Sequence, residues 1–164
     1  MPDIPLPDGL SMRPQRDSDA LFMATLFNST RDDLRLIDAE EDFIEELIEM
    51  QFRAQREGYG EQHPNAMYFV VEAHGKPIGR VAVDFGPNEV RLIDVALIRA
   101  ARGKGYGAGI VRSVQMAAAR VRTPLTLVVA LDNPRAFQLY AGLGFVIEER
   151  GQTHALMIWY PQPV

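Results

Sequence analysis

The amino-acid sequence predicts an α/β domain of three layers, in which helices flank a mixed, mostly antiparallel central sheet of about seven strands. Three observations support this fold class. Several segments repeat apolar residues at three- and four-residue steps, as amphipathic helices do. Others are rich in Val, Ile and aromatic residues and are bounded by Gly, Pro and Asn, as strands are. In the second half of the chain, a helical segment of about 15 residues joins two strand segments, and such a connection makes them parallel.

The composition is that of a single folded domain. The chain has 164 residues, of which 47% are hydrophobic and 24% are charged, values typical of a globular protein. We expect a flexible tail over residues 1–9 and one domain over residues 10–164. Cysteine is absent, which excludes disulfides, thiolate metal sites and a cysteine nucleophile.

The charge and hydropathy patterns exclude two classes of partner. The net charge of −5 argues against nucleic-acid binding, because neutralising phosphates requires clustered Lys and Arg. No apolar run approaches the roughly 18–20 residues that span a membrane. The N-terminus is acidic and rich in proline, unlike an export signal. We therefore expect a cytoplasmic protein that binds neither nucleic acid nor membranes.

The first third of the chain predicts one strand and two helices. A short strand is expected at Leu10–Gln15, and Asp17 or Ser18 is expected to cap a helix that runs to about Phe27. The inner side of this helix would carry Ala20, Leu21, Ala24 and Leu26 or Phe27. A second helix is expected over Ala39–Glu57, where acids are interleaved with the apolar residues Phe43, Leu47, Ile48 and Met50.

Three strands follow, and short turns make them antiparallel. They are predicted at Met67–Ala73, Ile78–Phe85 and Val90–Ile98. The turn between the first two is expected at His74–Pro77, and the next at Gly86–Asn88.

The remaining elements alternate between helix and strand. A helix is predicted from about Gly105 to Val121, with one apolar stripe made of Ile110, Val111, Val114, Ala117, Ala118 and Val121. The continuous apolar run Leu125–Leu131 indicates a strand covered on both faces and parallel to Val90–Ile98. A short helix from Asn133 to about Ala141 is followed by the strands Phe145–Glu149 and His154–Trp159.

The loop that opens the long helix indicates an anion site. Gly103, Gly105, Gly107 and Gly109 alternate there, flanked by the cations Arg102 and Lys104. Free N–H groups and the helix dipole favour an anion at a helix start, and glycine lets a phosphate approach the backbone. The glycines could equally form only a tight turn. A phosphate loop of the Gly-Lys-Ser/Thr kind and the Gly-x-Gly-x-x-Gly dinucleotide pattern both fail here, since Ala108 occupies the third glycine position.

A second group of residues lies on the short helix. Asn133 is a preferred N-cap, and Pro134 is a preferred first helical residue. Asn133, Ala136, Phe137 and Tyr140 are spaced to share one face of the helix. Two interpretations remain open from these residues alone: a functional face, or an Asn133 that only caps and a Tyr140 that only packs.

Together the two groups resemble a known family. Arg102, Gly105 and Gly107 form Arg-x-x-Gly-x-Gly after a strand that ends near Leu97, and residues 133–145 form Asn-x-x-Ala-x-x-x-Tyr-x-x-x-Gly-Phe. Both motifs, in this order, are similar to those of the GNAT superfamily of N-acetyltransferases. The resemblance covers about residues 10–160, and its specific part is residues 90–146. One departure is Arg99, which stands where the family often has proline.

The resemblance implies acetyl-coenzyme A as the acetyl donor and direct transfer to an amine without a covalent acetyl-enzyme. Tyr140 matches the family's general acid, and a backbone N–H near Leu97 and Ile98, where members often carry a strand bulge, would stabilise the oxyanion. The residues it implies for cofactor binding are Ala96, Leu97, Ile98, Arg102, Gly103, Lys104, Gly105, Tyr106, Gly107, Ala108, Asn133, Ala136, Phe137 and Tyr140.

The general base is the least determined role. Asp94 is the first choice, because it interrupts an apolar strand, where an acid is costly unless it is paired or used. The alternative for Asp94 is a structural salt bridge to Arg80 or Arg91. The other candidates are Glu72, Asp84, Glu89, His63 and His154. No group of residues has the spacing of metal ligands, so we expect no metal.

The acceptor is expected to be a primary amine of a small molecule or peptide. In the family its site is shaped by the first two helices and the loop before the second strand, which here is Glu40–Asn65, with Gln51, Arg53, Tyr59 and His63. The acids of the second helix either attract the amine or form a solvated face. Exposed strand edges in such folds favour a homodimer. The alternatives to this enzyme are a regulatory module that binds acyl-CoA without turnover, an interaction protein, and a transferase of another acyl group.

Overall fold

The computed structural model describes residues 6, 9–30, 49–55, 57 and 63–162 of the chain. Its strands are β1 (Leu10–Pro14), β2 (Met67–Ala73), β3 (Lys76–Phe85), β4 (Val90–Leu97), β5 (Leu125–Ala130), β6 (Val146–Arg150) and β7 (His154–Trp159). Its α-helices with described bounds are α1 (Ala20–Thr30), α2 (Tyr106–Arg120) and α3 (Pro134–Gly142). Residues 49–55 are also helical.

The strands form one seven-stranded sheet in the order β1-β2-β3-β4-β5-β7-β6. All neighbours are antiparallel except β4 and β5, which are parallel. The predicted fold class is therefore confirmed, including the parallel pair joined by the long helix. Of the predicted helix over Ala39–Glu57, most lies outside the described residues, including Phe43, Leu47 and Ile48, and the predicted tail lies outside them except for Leu6 and Gly9.

The start of α1 differs from the prediction. A 3₁₀ turn at Asp17–Asp19 precedes the helix, and neither Asp17 nor Ser18 caps it. Asp19 instead accepts a hydrogen bond from the Arg16 N–H at 2.8 Å and forms an ion pair with Arg13 of β1 at 2.7 Å. Because of this extra turn, the buried side of α1 is Met23, Leu26 and Phe27, and the predicted inner residues Ala20 and Leu21 are exposed.

The β2–β3 hairpin is tighter than predicted. Only His74 and Gly75 form the turn, both with positive φ, as a two-residue hairpin turn requires. Lys76 and Pro77 belong to β3, where they pair with β2. A register shift after Val71 accompanies this pairing, so that the proline, which has no N–H, lies at an irregular part of the ladder.

The hydrophobic core lies between the sheet and α2. The predicted stripe of α2 is buried from Ile110 to Ala118, but Val121 ends the helix and is 54% exposed. Leu125, Leu127 and Val129 of β5 face this core. Val128 points to the other face of the sheet and is 51% exposed, so the prediction that β5 is covered on both faces is wrong at this residue.

A β-bulge in β4 opens the sheet. Ala82 of β3 pairs with Asp94, whereas the next residue, Val83, pairs with Leu92, so Ile93 is the extra residue. The parallel pairing of β4 with β5 extends only over Val90–Leu92. Beyond Leu92 the two strands are no longer paired, and a gap opens between their carboxyl ends. The family resemblance placed the bulge near Leu97 and Ile98, and the structure places it four residues earlier, beside Asp94.

Candidate active site

The glycine loop leads from the end of β4 into α2. A 3₁₀ turn at Arg99–Ala101 buries Ala101 beneath the loop, and Gly103 and Gly105 follow with φ of +76° and +80°. A Cβ at either glycine would meet no atom within 4 Å, so these glycines are required by their backbone conformation, and the space above them is open. The first N–H groups of α2, those of Tyr106, Gly107 and Ala108, have no carbonyl within the helix to bind.

Arg102 is held against the end of β4. Its Nε donates a hydrogen bond to the carbonyl oxygen of Leu97 at 3.1 Å, and the rest of its side chain is exposed. The exposed Lys104 follows two residues later in the loop. The loop therefore offers positive charge beside open backbone N–H groups, which is the arrangement that binds a phosphate group.

The backbone of β4 presents alternating groups to the gap. The Ile98 N–H donates to the Ile78 carbonyl oxygen at 2.8 Å and is therefore already engaged. Since successive residues of an antiparallel strand point their N–H groups to opposite sides, Val95 and Leu97 direct theirs away from β3 and toward the gap. Of the two N–H groups expected to stabilise the oxyanion, that of Leu97 is directed to the gap, whereas that of Ile98 is hydrogen-bonded to β3.

The face of α3 that bears Asn133, Ala136, Phe137 and Tyr140 lies next to this gap. The Asn133 Oδ1 accepts a hydrogen bond from the Ala136 N–H at 3.2 Å, so Asn133 does cap the helix. Ala136, Phe137 and Tyr140 are half-buried against the core. The far end of α3 is fixed by Gln115 of α2, whose Nε2 donates to the Leu143 carbonyl oxygen at 2.9 Å.

Tyr140 is placed to keep its proton. Its ring contacts Phe145 edge to face, with the ring centroids 5.8 Å apart. Burial raises the pKa of Tyr140 above its ordinary value of 10, and the negative charge of Asp94 raises it further. The two residues interact although they come from α3 and β4, which shows that the structure brings the two predicted catalytic side chains together.

Asp94 forms the ion pair with Arg80 of β3 that was the structural alternative to its role as general base. The Arg80 Nε donates to Asp94 Oδ2 at 2.6 Å, and Arg80 Nη2 donates to Gln55 Oε1 at 3.2 Å. The Arg80 and Asp94 side chains are only 13% and 19% exposed. Arg91, the other predicted partner, instead donates to Thr126 Oγ1 at 2.8 Å.

A cleft of about 670 Å³ ends at this ion pair. It lies on the face of the sheet opposite α2, between the start of α1 and the helical residues 49–55. Its described lining is Gln15, Arg16, Asp17, Ala20, Met23, Phe52, Gln55, Tyr68, Arg80, Ala82 and Asp94. Within the expected acceptor region, His63 lies outside this lining, and Tyr59 lies outside the described residues.

Each of the other candidate bases already has a polar partner. Glu72 forms an ion pair with Arg13, and Glu89 accepts a hydrogen bond from Thr126 Oγ1 at 2.6 Å. His63 Nδ1 lies 3.3 Å from Asp84 Oδ2. His154 Nδ1 lies 2.8 Å from Thr153 Oγ1, in a separate cavity that Asp132 and Ala130 also line.

The sequence predicted the region of the cleft better than its individual residues. Gln55 lies in the expected acceptor region Glu40–Asn65 but was not singled out, Arg80 was expected only as a salt-bridge partner, and Tyr68 was not expected. Tyr68 and Arg80 alternate with the buried residues Phe69 and Val81, so the strand alternation could have placed them on the face away from the core. Nothing in the local sequence indicates the contact between Gln55 and Arg80, which are 25 residues apart.

The described part of the chain contains neither a metal-binding cluster nor a membrane-spanning helix. No group of three or more His, Cys, Asp or Glu side chains could hold a metal ion there. No helix among those residues is both long enough and apolar enough to cross a membrane.

Solved structures share this fold. PaiA N-acetyltransferase from Thermoplasma acidophilum, solved with coenzyme A, is 15% identical, with a TM-score of 0.69 over 92% of this chain and 98% of its own. Spermidine N-acetyltransferase from Vibrio cholerae, solved with CoA and spermine, is 21% identical, with a TM-score of 0.65 over 93% and 95%. RimL, a ribosomal L7/L12 alpha-N-protein acetyltransferase solved with CoA, is 13% identical, with a TM-score of 0.67 over 96% and 97%.

Among curated proteins, no sequence matches this chain. A family model, that of the Acetyltransferase (GNAT) family, matches residues 25–145, which include β4, the glycine loop and Tyr140. The chain therefore belongs to the GNAT family of acetyltransferases, enzymes for which acetyl-coenzyme A is the acetyl donor.

Proposed function

We propose that this protein transfers the acetyl group of acetyl-coenzyme A directly to a primary amine of a small molecule or peptide, with no covalent acetyl-enzyme. The observation that carries the proposal is the placement of Tyr140 and Asp94. An acid and a carboxylate interact at the gap between β4 and β5, with the glycine loop at one side and the cleft at the other. Their arrangement suits a reaction in which one partner must receive a proton and the other must lose one.

The residues present fit the proposed cofactor. The open backbone at Gly103 and Gly105 and the start of α2 would hold the pyrophosphate, assisted by Arg102 and Lys104. The edge of β4 at Leu97 would hold the pantetheine arm by backbone hydrogen bonds in the gap where β5 no longer pairs, whereas the backbone groups of Ala96, like those of Ile98, point toward β3. Bound acetyl-coenzyme A supplies the thioester whose C–S bond breaks as the new N–C bond forms, giving an acetamide and the free thiol.

Three groups of this chain meet the requirements of the reaction. The Tyr140 phenol, kept protonated by its raised pKa, provides the proton for the departing sulfur. The Leu97 N–H points into the gap and is the candidate donor to the oxygen that becomes negative. Asp94 takes the proton of the attacking ammonium, since Arg80 contacts only one of its two carboxylate oxygens.

Mixing experiments test this assignment. Acetyl-coenzyme A should raise the melting temperature of the protein, because a ligand that binds only the folded state stabilises it by mass action. Release of free thiol should then depend on both acetyl-coenzyme A and an amine, and mass spectrometry should find the acetyl group on the amine and not on the protein. Stabilisation without turnover on any amine would instead identify a regulatory module that binds acyl-CoA. Absence of any stabilisation at saturating acetyl-coenzyme A would overturn the proposal entirely.

A further inference from the structure

We propose that the acceptor is an amino acid with a large apolar side chain, and that Arg80 selects it by binding its carboxylate. This inference rests on the proposed function and names the substrate class of the same site. The starting observation is that Arg80 has more hydrogen-bond donors than the described residues engage. A guanidinium has five N–H donors in a planar fork, and the described residues engage only two of its nitrogens, Nε through Asp94 and Nη2 through Gln55.

The third nitrogen, Nη1, has no hydrogen-bond partner among the described residues. The Arg80 side chain is 13% exposed, and its remaining exposure is to the cleft, which it lines. A guanidinium nitrogen on a side chain with so little exposure is costly unless an acceptor of hydrogen bonds reaches it. Carboxylates are the natural partner, because their two oxygens match the fork of the guanidinium.

Asp94 supplies the second half of the recognition. Arg80 contacts its Oδ2, so the other carboxylate oxygen can receive the ammonium of the acceptor. The Arg80 donors that no described residue engages and the Asp94 oxygen that Arg80 does not contact belong to one ion pair and therefore lie close together. An α-amino acid carries its ammonium and its carboxylate on the same carbon atom, so a single molecule of this class can reach both partners.

The charges of the described cleft lining favour a zwitterion over a polycation. Among its described lining residues, the two arginines Arg16 and Arg80 balance the two aspartates Asp17 and Asp94. A polyamine gains from a cleft whose acids outnumber its cations, and Arg80 would repel one of its ammonium groups beside Asp94. An amino acid has no net charge and pairs each of its ends with an opposite charge.

The size and lining of the cleft indicate a large apolar side chain. Met23, Phe52, Tyr68 and Ala82 form its apolar wall, and its volume of about 670 Å³ far exceeds what glycine or alanine would fill. Burying an aromatic or branched side chain against such a wall stabilises binding in proportion to the apolar area removed from water.

The test compares amino acids with analogues that lack only the negative charge. L-phenylalanine, L-methionine and L-leucine are each assayed beside the corresponding amide, with phenethylamine and spermidine as further acceptors, by release of free thiol. Wild-type protein should show kcat/KM about tenfold or more higher for the acid than for its amide. The amide has the less basic amine, so ease of deprotonation works against this result and cannot produce it.

Variants at Arg80 and Gln55 distinguish an Arg80 that binds the carboxylate of the acceptor from an Arg80 that only positions Asp94. Arg80→Met should reduce the acid-to-amide ratio to about one, whereas a displaced Asp94 alone would slow both acceptors equally. If Arg80→Met fails to fold, Gln55→Glu places a negative charge against the same guanidinium and should raise KM for the acid more than for the amide. Arg150→Gln, on the exposed strand β6, removes the same charge elsewhere and should leave the ratio unchanged.

Several results would overturn the inference. They are equal use of acid and amide by the wild type, a preference for spermidine or phenethylamine, an unchanged ratio in Arg80→Met, and failure of all three amino acids to bind the coenzyme A complex in calorimetry. Turnover of spermidine or phenethylamine would leave the proposed function standing and remove only the acceptor class. Failure to bind acetyl-coenzyme A would remove the proposed function itself.

Discussion

The negative charge of Asp94 on β4 acts on the phenol of Tyr140 on α3 and helps to raise its pKa. The two residues are 46 positions apart in the sequence. They meet because β4 and β5 separate after Leu92. In the gap that this leaves beside the end of β4, a side chain of α3, the helix that follows β5, can approach β4. The contact therefore places a phenol that keeps its proton near a carboxylate.

Replacing Tyr140 with Phe should reduce kcat by about 10²-fold or more, since general acid catalysis contributes on that scale. Coenzyme A binding should remain nearly intact, because the ring and its contact with Phe145 are kept. Steady-state thiol release measures the first quantity and calorimetry the second. Tyr160→Phe is the matched control, since that side chain is exposed and lies outside the cleft. A Tyr140→Phe variant with wild-type turnover would contradict the role of general acid.

The pH dependence of the rate should report the interaction of Tyr140 with Asp94. A general acid is active while protonated, and the raised pKa keeps Tyr140 protonated to a pH above 10. Removing the negative charge in Asp94→Asn should lower the pKa of Tyr140 and move the alkaline fall of the rate to lower pH. The measurement is the pH profile of the residual kcat of Asp94→Asn beside that of the wild type. An alkaline limb that stays in place would show that the two groups are not coupled.

Replacing Gly105 with Ala should weaken coenzyme A binding by altering the loop. A residue with a side chain is strained at a φ of +80°, by about 1–2 kcal/mol. Gly75 in the β2–β3 turn is an internal control, because it has a φ of +79° and equally open surroundings. Both variants should melt at lower temperature, and only Gly105→Ala should lose affinity for coenzyme A. Equal affinities in the two variants would exclude the loop as the binding site.

Asp19 should contribute to stability only above acidic pH. The Arg13 guanidinium, with the Arg16 N–H, lowers the pKa of Asp19 from 3.8 to about 2. A lowered pKa means that the stabilisation is complete above about pH 4 and is lost as the pH falls toward 2. Asp19→Asn should therefore melt several degrees below the wild type at neutral pH, with the difference shrinking over that range. Asp17→Asn, an exposed neighbour, should show little change, and a pH-independent difference for Asp19→Asn would contradict the ion pair as its cause.

Much of the fold follows from local signals. The apolar stripe of α2, the run of β5 and the Asn133–Pro134 helix start are properties of short segments, and the structure contains each of these elements. The parallel pair follows from the length of the helix between its strands. The missed features depend on irregular backbone, such as the 3₁₀ turn before α1 and the two-residue turn at His74–Gly75. Such irregularities change the register by one or two residues and leave little trace in composition.

The candidate site also has one part that local sequence predicts and one part that only the tertiary fold creates. Tyr140 and the glycine loop lie in motifs with fixed spacing, so the sequence could name them. Asp94 could be singled out because an acid in an apolar strand is unusual, but the sequence left its partner open between Arg80 and Arg91. The cleft is assembled from α1, β2, β3 and residues near 52, and these come together only through the tertiary fold.

The single extra residue Ile93 decides which side of the sheet Asp94 belongs to. In a regular strand, residues three apart point in opposite directions, yet Arg91 and Asp94 both pair with residues on the cleft side, Asp84 and Ala82. Deleting Ile93 would close the bulge, and Asp94 would then follow Leu92 directly and still pair with Ala82 on the cleft side. If Ile93 were instead paired regularly with Ala82, Asp94 would pair with Val81 and turn toward the hydrophobic core. The bulge, and not the chemistry of any side chain, therefore keeps Asp94 on the same side of the sheet as the cleft.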